Sequence, residues 1–94
     1  MDKEIQKDLE RIRAGIDSVD NEIVKQLAKR RELVIRLARI KKVVALPIYD
    51  RKREEALVAR VKKWGAGHGL NGEFVEVLFR LIVMNSIEVQ YHES

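Results

Sequence analysis

From Asp2 to Val44 no proline interrupts the chain, and apolar residues recur at every third or fourth position: Ile5, Leu9, Ile12, Ile16, Val19, Ile23 and Leu27. That spacing is one face of an α-helix. Gly15 lies inside the pattern and costs about 1 kcal/mol relative to Ala, which weakens a helix without breaking it. A helix of about 40 residues is about 60 Å long. A compact domain of 94 residues is only about 30 Å across. The apolar stripe is therefore about twice as long as the body that should bury it. Either the helix breaks, or a second chain covers what the first cannot. The second reading, a homodimer of intertwined long helices, is the better fit.

The rest of the chain reads as two shorter helices. Pro47 disfavours helix in the residue before it and should end the first one. Asp50 is a candidate N-cap for a second helix from Arg51 to Trp64, with Leu57, Val61 and Trp64 on its apolar face. Gly65, Gly67 and Gly69 mark its end and a loop. Asn71 is the candidate N-cap of a third helix running to about Tyr91. Its middle, Phe74 to Met84, is apolar on most sides apart from Glu76 and Arg80, and should be the most buried segment. The expected fold is all-α: three helices in one domain spanning residues 1–94, paired in an intertwined dimeric bundle. Aromatics make up only 5% of the chain and charged residues 36%, which suits long solvated helices better than a β-sandwich.

The N-terminus, Met1-Asp2-Lys3-Glu4, has no apolar leader, and no apolar run approaches a membrane span. The chain has no Cys, which excludes disulfides and thiolate-held metals. The cytoplasm is the expected compartment. A net charge of +4 admits a nucleic-acid partner, a merely solvated surface, or a small anionic ligand. Where the cations fall decides among them.

Several fall in line with core positions. Past Leu27 the stripe of the first helix continues through Arg30, Val34, Leu37 and Lys41. Buried unpaired charge is costly, so these cations either snorkel to water or face a partner. Arg13 flanks the same stripe. On the third helix, Phe79, Val83, Ser86 and Gln90 share one face, and the last two are hydrogen-bonding groups on an apolar stripe. Fraying near a C-terminus is the bland explanation. Glu54 shares the apolar face of the second helix, with Arg53 beside it. The inward set is Arg13, Arg30, Lys41 and Arg53 with Glu54, Ser86 and Gln90. It has no nucleophile and no obvious general base. Such a set can clamp a small polyanion and act through positioning and electrostatics. His68, in the Gly-rich loop, reads as solvated.

Taken in order, these residues resemble a known family. The matching segments are Ile12-Arg13, Ile16-Asp17-Ser18-Val19-Asp20, Leu27-Ala28-Lys29-Arg30-Arg31-Glu32-Leu33 and Ile40-Lys41. They continue with Pro47-Ile48-Tyr49-Asp50-Arg51-Lys52-Arg53-Glu54 and Leu81-Ile82-Val83-Met84-Asn85-Ser86 with Gln90. Each is weak alone; together, at matching spacing over nearly the whole chain, they resemble the small all-helical dimeric chorismate mutases. The resemblance implies a Claisen rearrangement of chorismate to prephenate, with no cofactor and no metal. It implies that Arg30 and Arg13 hold the two carboxylates, Arg13 reaching in from the other subunit. Lys41 would contact a carboxylate and the ether oxygen, and Gln90 would donate to that oxygen. Glu54, with the Asp50 region, would hold the ring hydroxyl. Arg53 and Ser86 would complete the polar wall, and Leu37 and Val83 would pack against the ring. Tyr49 and Gly15 depart from the family pattern and are expected to lie away from the site. The sequence ends at Ser94, which sets the expectation that no fused enzyme or regulatory domain accompanies it.

Two other readings stand beside this one. An isochorismate-pyruvate lyase of the same fold would keep the cations and the Gln; Glu54 favours the mutase. A basic helical dimer that binds nucleic acid would need its cations on exposed faces and more stacking aromatics, so no nucleic-acid partner and no membrane are expected.

Overall fold

A computed structural model describes residues 2–93 of the chain. Those residues form three α-helices: α1 (Lys3–Val43), α2 (Arg51–Gly67) and α3 (Gly72–Glu93). None of them is long and apolar enough to cross a membrane. The chain divides into two units, one ending at Glu32 and the other beginning at Leu33, and α1 contributes to both.

In the first unit, Asp2 caps α1: its Oδ1 accepts from the Glu4 backbone N–H at 2.8 Å. The expected stripe is present but uncovered. Ile5, Ile12, Ile16, Val19 and Ile23 are each more than half exposed in the single chain. Nothing here breaks the helix at Gly15, where a Cβ would meet no atom within 4 Å.

The second unit holds the core. Val34 and Ala38 from α1, Val58 and Val61 from α2, and Val75 and Val83 from α3 are its buried apolar side chains. The end of α1 is set by Ala45, not by Pro47. Ala45 adopts a left-handed φ of 58°, and Leu46 N–H closes onto the Lys41 carbonyl at 2.9 Å. That is a glycine-type helix stop made with alanine, and Pro47 follows it. Asp50 caps α2 as expected, its Oδ1 accepting from Arg53 N–H at 3.0 Å. Asn71 does the same for α3 through Phe74 N–H at 3.0 Å.

Three expectations need correction. First, α2 does not stop at Trp64 but runs to Gly67. Gly65 is buried inside it, and a Cβ there would meet Val75 Cγ2 at 2.9 Å. Gly65 thus lets Val75 of α3 pack close against α2, and the stop comes later, at Gly69 with φ +73°. Second, the inner face of α2 is Val58, Val61 and Gly65, and Trp64 is turned out. Third, the middle of α3 is not the most enclosed segment: Phe74, Val77, Leu81 and Met84 are exposed in the single chain. A core of six small or β-branched residues cannot cover helices this apolar.

Candidate functional site

The polar residues placed in line with the core are partly in it. Gln90 is 5% exposed and Ser86 8%. The helix continues past Gln90 to Glu93, so Gln90 is a buried side chain on an intact helix and not part of a frayed end. Ser86 Oγ donates back to the Ile82 carbonyl at 2.9 Å. Val83 completes that buried face.

Opposite Gln90 stands Lys41, half-buried in the last turn of α1. Its Nζ donates to Gln90 Oε1 at 2.9 Å and to the Ile48 carbonyl at 2.7 Å. The second bond depends on the turn at Ala45, which brings the chain back over the helix end. An ammonium has three donors, and these contacts use two. They also fix the amide of Gln90. Lys41 can only donate, so the carbonyl oxygen of Gln90 faces it and the NH₂ group faces away. Lys41 and the Gln90 NH₂ thus form adjacent donors in a protected position. Lys41 also lines a shallow hollow with Ala38, Leu46, Pro47 and Ile48.

Glu54, in the first turn of α2, makes a second polar centre. Arg80 Nη1 lies 3.8 Å from Glu54 Oε1. The Tyr49 hydroxyl bonds the same carboxylate, and that hydrogen bond raises the phenol above its ordinary value of 10.0. Tyr49 was expected to stand clear of the site residues; it reaches Glu54 because the cap at Asp50 turns the preceding loop over the first turn of α2. Arg80 was singled out only as a charge interrupting the apolar α3. Its signal in the sequence was the i, i+4 pair with Glu76, which says nothing about Glu54.

Of the remaining expected residues, Arg13 lies exposed on the first unit and Arg30 is half-buried. Leu37 and Arg53 are exposed in the second unit, and one carboxylate oxygen of Asp50 caps α2. Among the described residues no group of three or more His, Cys, Asp or Glu is arranged to hold a metal.

Comparison with known proteins gives this arrangement a context. The sequence model of the family "Chorismate mutase type II" matches residues 12–91. A chorismate mutase of Methanocaldococcus jannaschii is 31% identical over 88 residues, covering 92% of this chain and 89% of that protein. A bifunctional chorismate mutase/prephenate dehydratase of Buchnera aphidicola is 36% identical over 83 residues, 88% of this chain. The match spans only 22% of that longer protein. A 4-amino-4-deoxychorismate mutase of Streptomyces venezuelae is 28% identical over 85 residues, 90% of this chain and 82% of its own length. The all-helical fold, the half-buried Lys41–Gln90 pair and a family match over nearly the whole chain lead to one conclusion: this chain belongs to the chorismate mutase type II family.

Proposed function

We propose that this chain is an isomerase that rearranges chorismate to prephenate. It works as one domain, residues 1–94, in a cytoplasmic homodimer. The observation that carries the reading is the 2.9 Å contact from Lys41 Nζ to Gln90 Oε1, which sets two donors side by side in a half-buried position. Family membership supplies the substrate class.

Chorismate carries two carboxylates, a ring hydroxyl and an enol ether oxygen. Its rearrangement is pericyclic and unimolecular, so it calls for no nucleophile and no cofactor. The C–O bond lengthens ahead of C–C bond formation, and negative charge gathers on the ether oxygen. Donors fixed there bind the transition state more tightly than the ground state. Gln90 NH₂ and Lys41 Nζ take that role, each worth about 3–4 kcal/mol in a dry site. Arg30 and Arg13 hold the carboxylates and so select the folded, chair-like conformer. Glu54 accepts from the ring hydroxyl. Arg53 and Ser86 complete the polar wall, and Leu37 and Val83 pack on the ring.

Arg13 belongs, on this reading, to the site of the other protomer. The exposed stripe from Ile5 to Ile23 supports a second copy as its cover, because a row of apolar side chains this long is rarely left in water. Dimerisation then does two things at once: it buries the stripe, and it delivers Arg13.

The test is product identification. Purified protein is incubated separately with chorismate and with isochorismate, and products are followed by NMR. Prephenate from chorismate is the expected result. Salicylate and pyruvate from isochorismate as the main products would overturn the assignment in favour of a lyase.

A further inference from the structure

Glu54 closes a chain of alternating charges that the proposed reaction does not otherwise use. Lys62 Nζ meets Glu76 Oε1 at 3.2 Å. The other oxygen of Glu76, Oε2, accepts from Arg80 Nε at 3.0 Å and from Arg80 Nη2 at 2.9 Å. Arg80 Nη1 then faces Glu54 Oε1 at 3.8 Å. The first three residues run along the outside of α2 and α3, and the last stands at the first turn of α2.

Surface ion pairs of this kind add little to stability, so stability is a weak reason for three of them in line. Their geometry suggests another. A guanidinium is a rigid planar fork. With Nε and Nη2 both seated on Glu76, Nη1 has no freedom to wander and its direction is set. The group it faces is the least exposed of the four: the Glu54 side chain is 18% exposed, against 27% for Glu76 and 49% for Arg80. Hydrogen bonds from Arg80 and then Lys62 hold the Glu76 carboxyl below its ordinary value, which keeps the seat charged. Tyr49 bonds the Glu54 carboxylate from the preceding loop.

We infer that Arg80, seated by Glu76, is a positioning residue that fixes the Glu54 carboxylate toward the ring hydroxyl of the substrate. The inference rests on the proposed role of Glu54. Arg80 touches no substrate atom. Its charge draws one carboxylate oxygen across 3.8 Å and leaves the other to accept the hydroxyl. The hydroxyl does not change charge during the rearrangement, so its bond is about equal in ground and transition states. Losing its alignment should weaken binding more than turnover.

The experiment is a double-mutant cycle of Arg80→Ala and Glu54→Ala, with KM and kcat for chorismate measured in each and folding checked by thermal melting. Arg80→Ala alone should raise KM about three- to tenfold with kcat within about twofold of the parent. In the Glu54→Ala background the same substitution should leave KM within about twofold. An equal rise in both backgrounds would mean that Arg80 does not act through Glu54, and would overturn the inference. So would a parental KM in Arg80→Ala when Glu54→Ala is impaired. A parental KM in Glu54→Ala would instead remove Glu54 from the proposed site, and the inference with it. If Arg80→Ala does not fold, Glu76→Gln unseats the guanidinium more gently. It should raise KM about two- to threefold only where Glu54 is present, and a parental KM there would overturn the inference too.

Discussion

Replacing Gln90 with Glu tests the donor pair at a single atom. In the folded chain the Gln90 amide oxygen accepts from Lys41 at 2.9 Å, and in the proposed mechanism the NH₂ group is the donor offered to the ether oxygen. A carboxylate in its place keeps the acceptor and loses the donor. Only the protonated acid can still donate. Two effects set where it titrates. Burial raises a carboxyl pKa by up to about 3–5 units, and an ammonium at contact lowers it by about 1–3. At a position only 5% exposed but touching Lys41, these oppose, and the net displacement runs from none to upward. The acid donor form therefore takes over at or above the ordinary carboxylate range. The ionised form lacks the donor and is slower by about 10²–10³. The kcat/KM of Gln90→Glu should therefore rise as the pH is lowered toward about 5, by up to about 10²–10³-fold. The parent, with an amide that donates at any pH, should change little from about pH 5 to pH 8. A continuous chorismate assay across that range reads both. A flat profile for the variant across that range would refute the role given to residue 90.

Other expectations follow from the packing. Gly65→Ala forces a Cβ to 2.9 Å from Val75 Cγ2; overpacking of about 1–3 kcal/mol outweighs a helix-propensity gain of about 1 kcal/mol. Thermal melting should show a lower midpoint, and an unchanged or raised one would remove Gly65 as the contact point of α2 and α3. Ala45→Gly relieves a left-handed alanine at φ 58° and should stabilise the fold by about 0.5–1 kcal/mol in urea unfolding; a loss of stability would contradict the helix stop described. The depressed Glu76 carboxyl contributes stability above its ordinary value of 4.5 and loses it as the pH falls through the lowered folded value. The stability gap between the parent and Glu76→Gln should narrow as the pH is taken below that point, and a gap that widens would reverse the assigned sign.

The helices were legible because their causes are local. Periodicity set α1, and Asp50 and Asn71 capped α2 and α3 through single backbone bonds. Ser86 and Gln90 could be placed on a buried face because residues three and four apart share one side of a helix. What could not be read is what distant segments do to each other. Gly65 resembles a helix stop until Val75 is packed on it. Ala45 carries no sign in the sequence of its left-handed turn, and that turn is what brings Ile48 to Lys41. Arg80 lies far from Glu54 in sequence, and only the packing of α3 on α2 brings it there, whereas Tyr49 reaches Glu54 from the loop just before α2. The exposed α1 stripe was foreseen from length alone, since no chain of this size covers a helix of 41 residues.

That stripe leads to the most direct test of a site shared between two copies. Arg13→Ala and Lys41→Ala each remove one cation of the proposed site and should each be inactive. If Arg13 serves the other protomer, co-refolding an equal mixture makes heterodimers in which one site keeps both residues. Half the dimers are mixed and each has one intact site of two, so about a quarter of parental activity should return. No recovery, with both variants folded and exchanging subunits, would show that each site is built from one chain and would contradict the account.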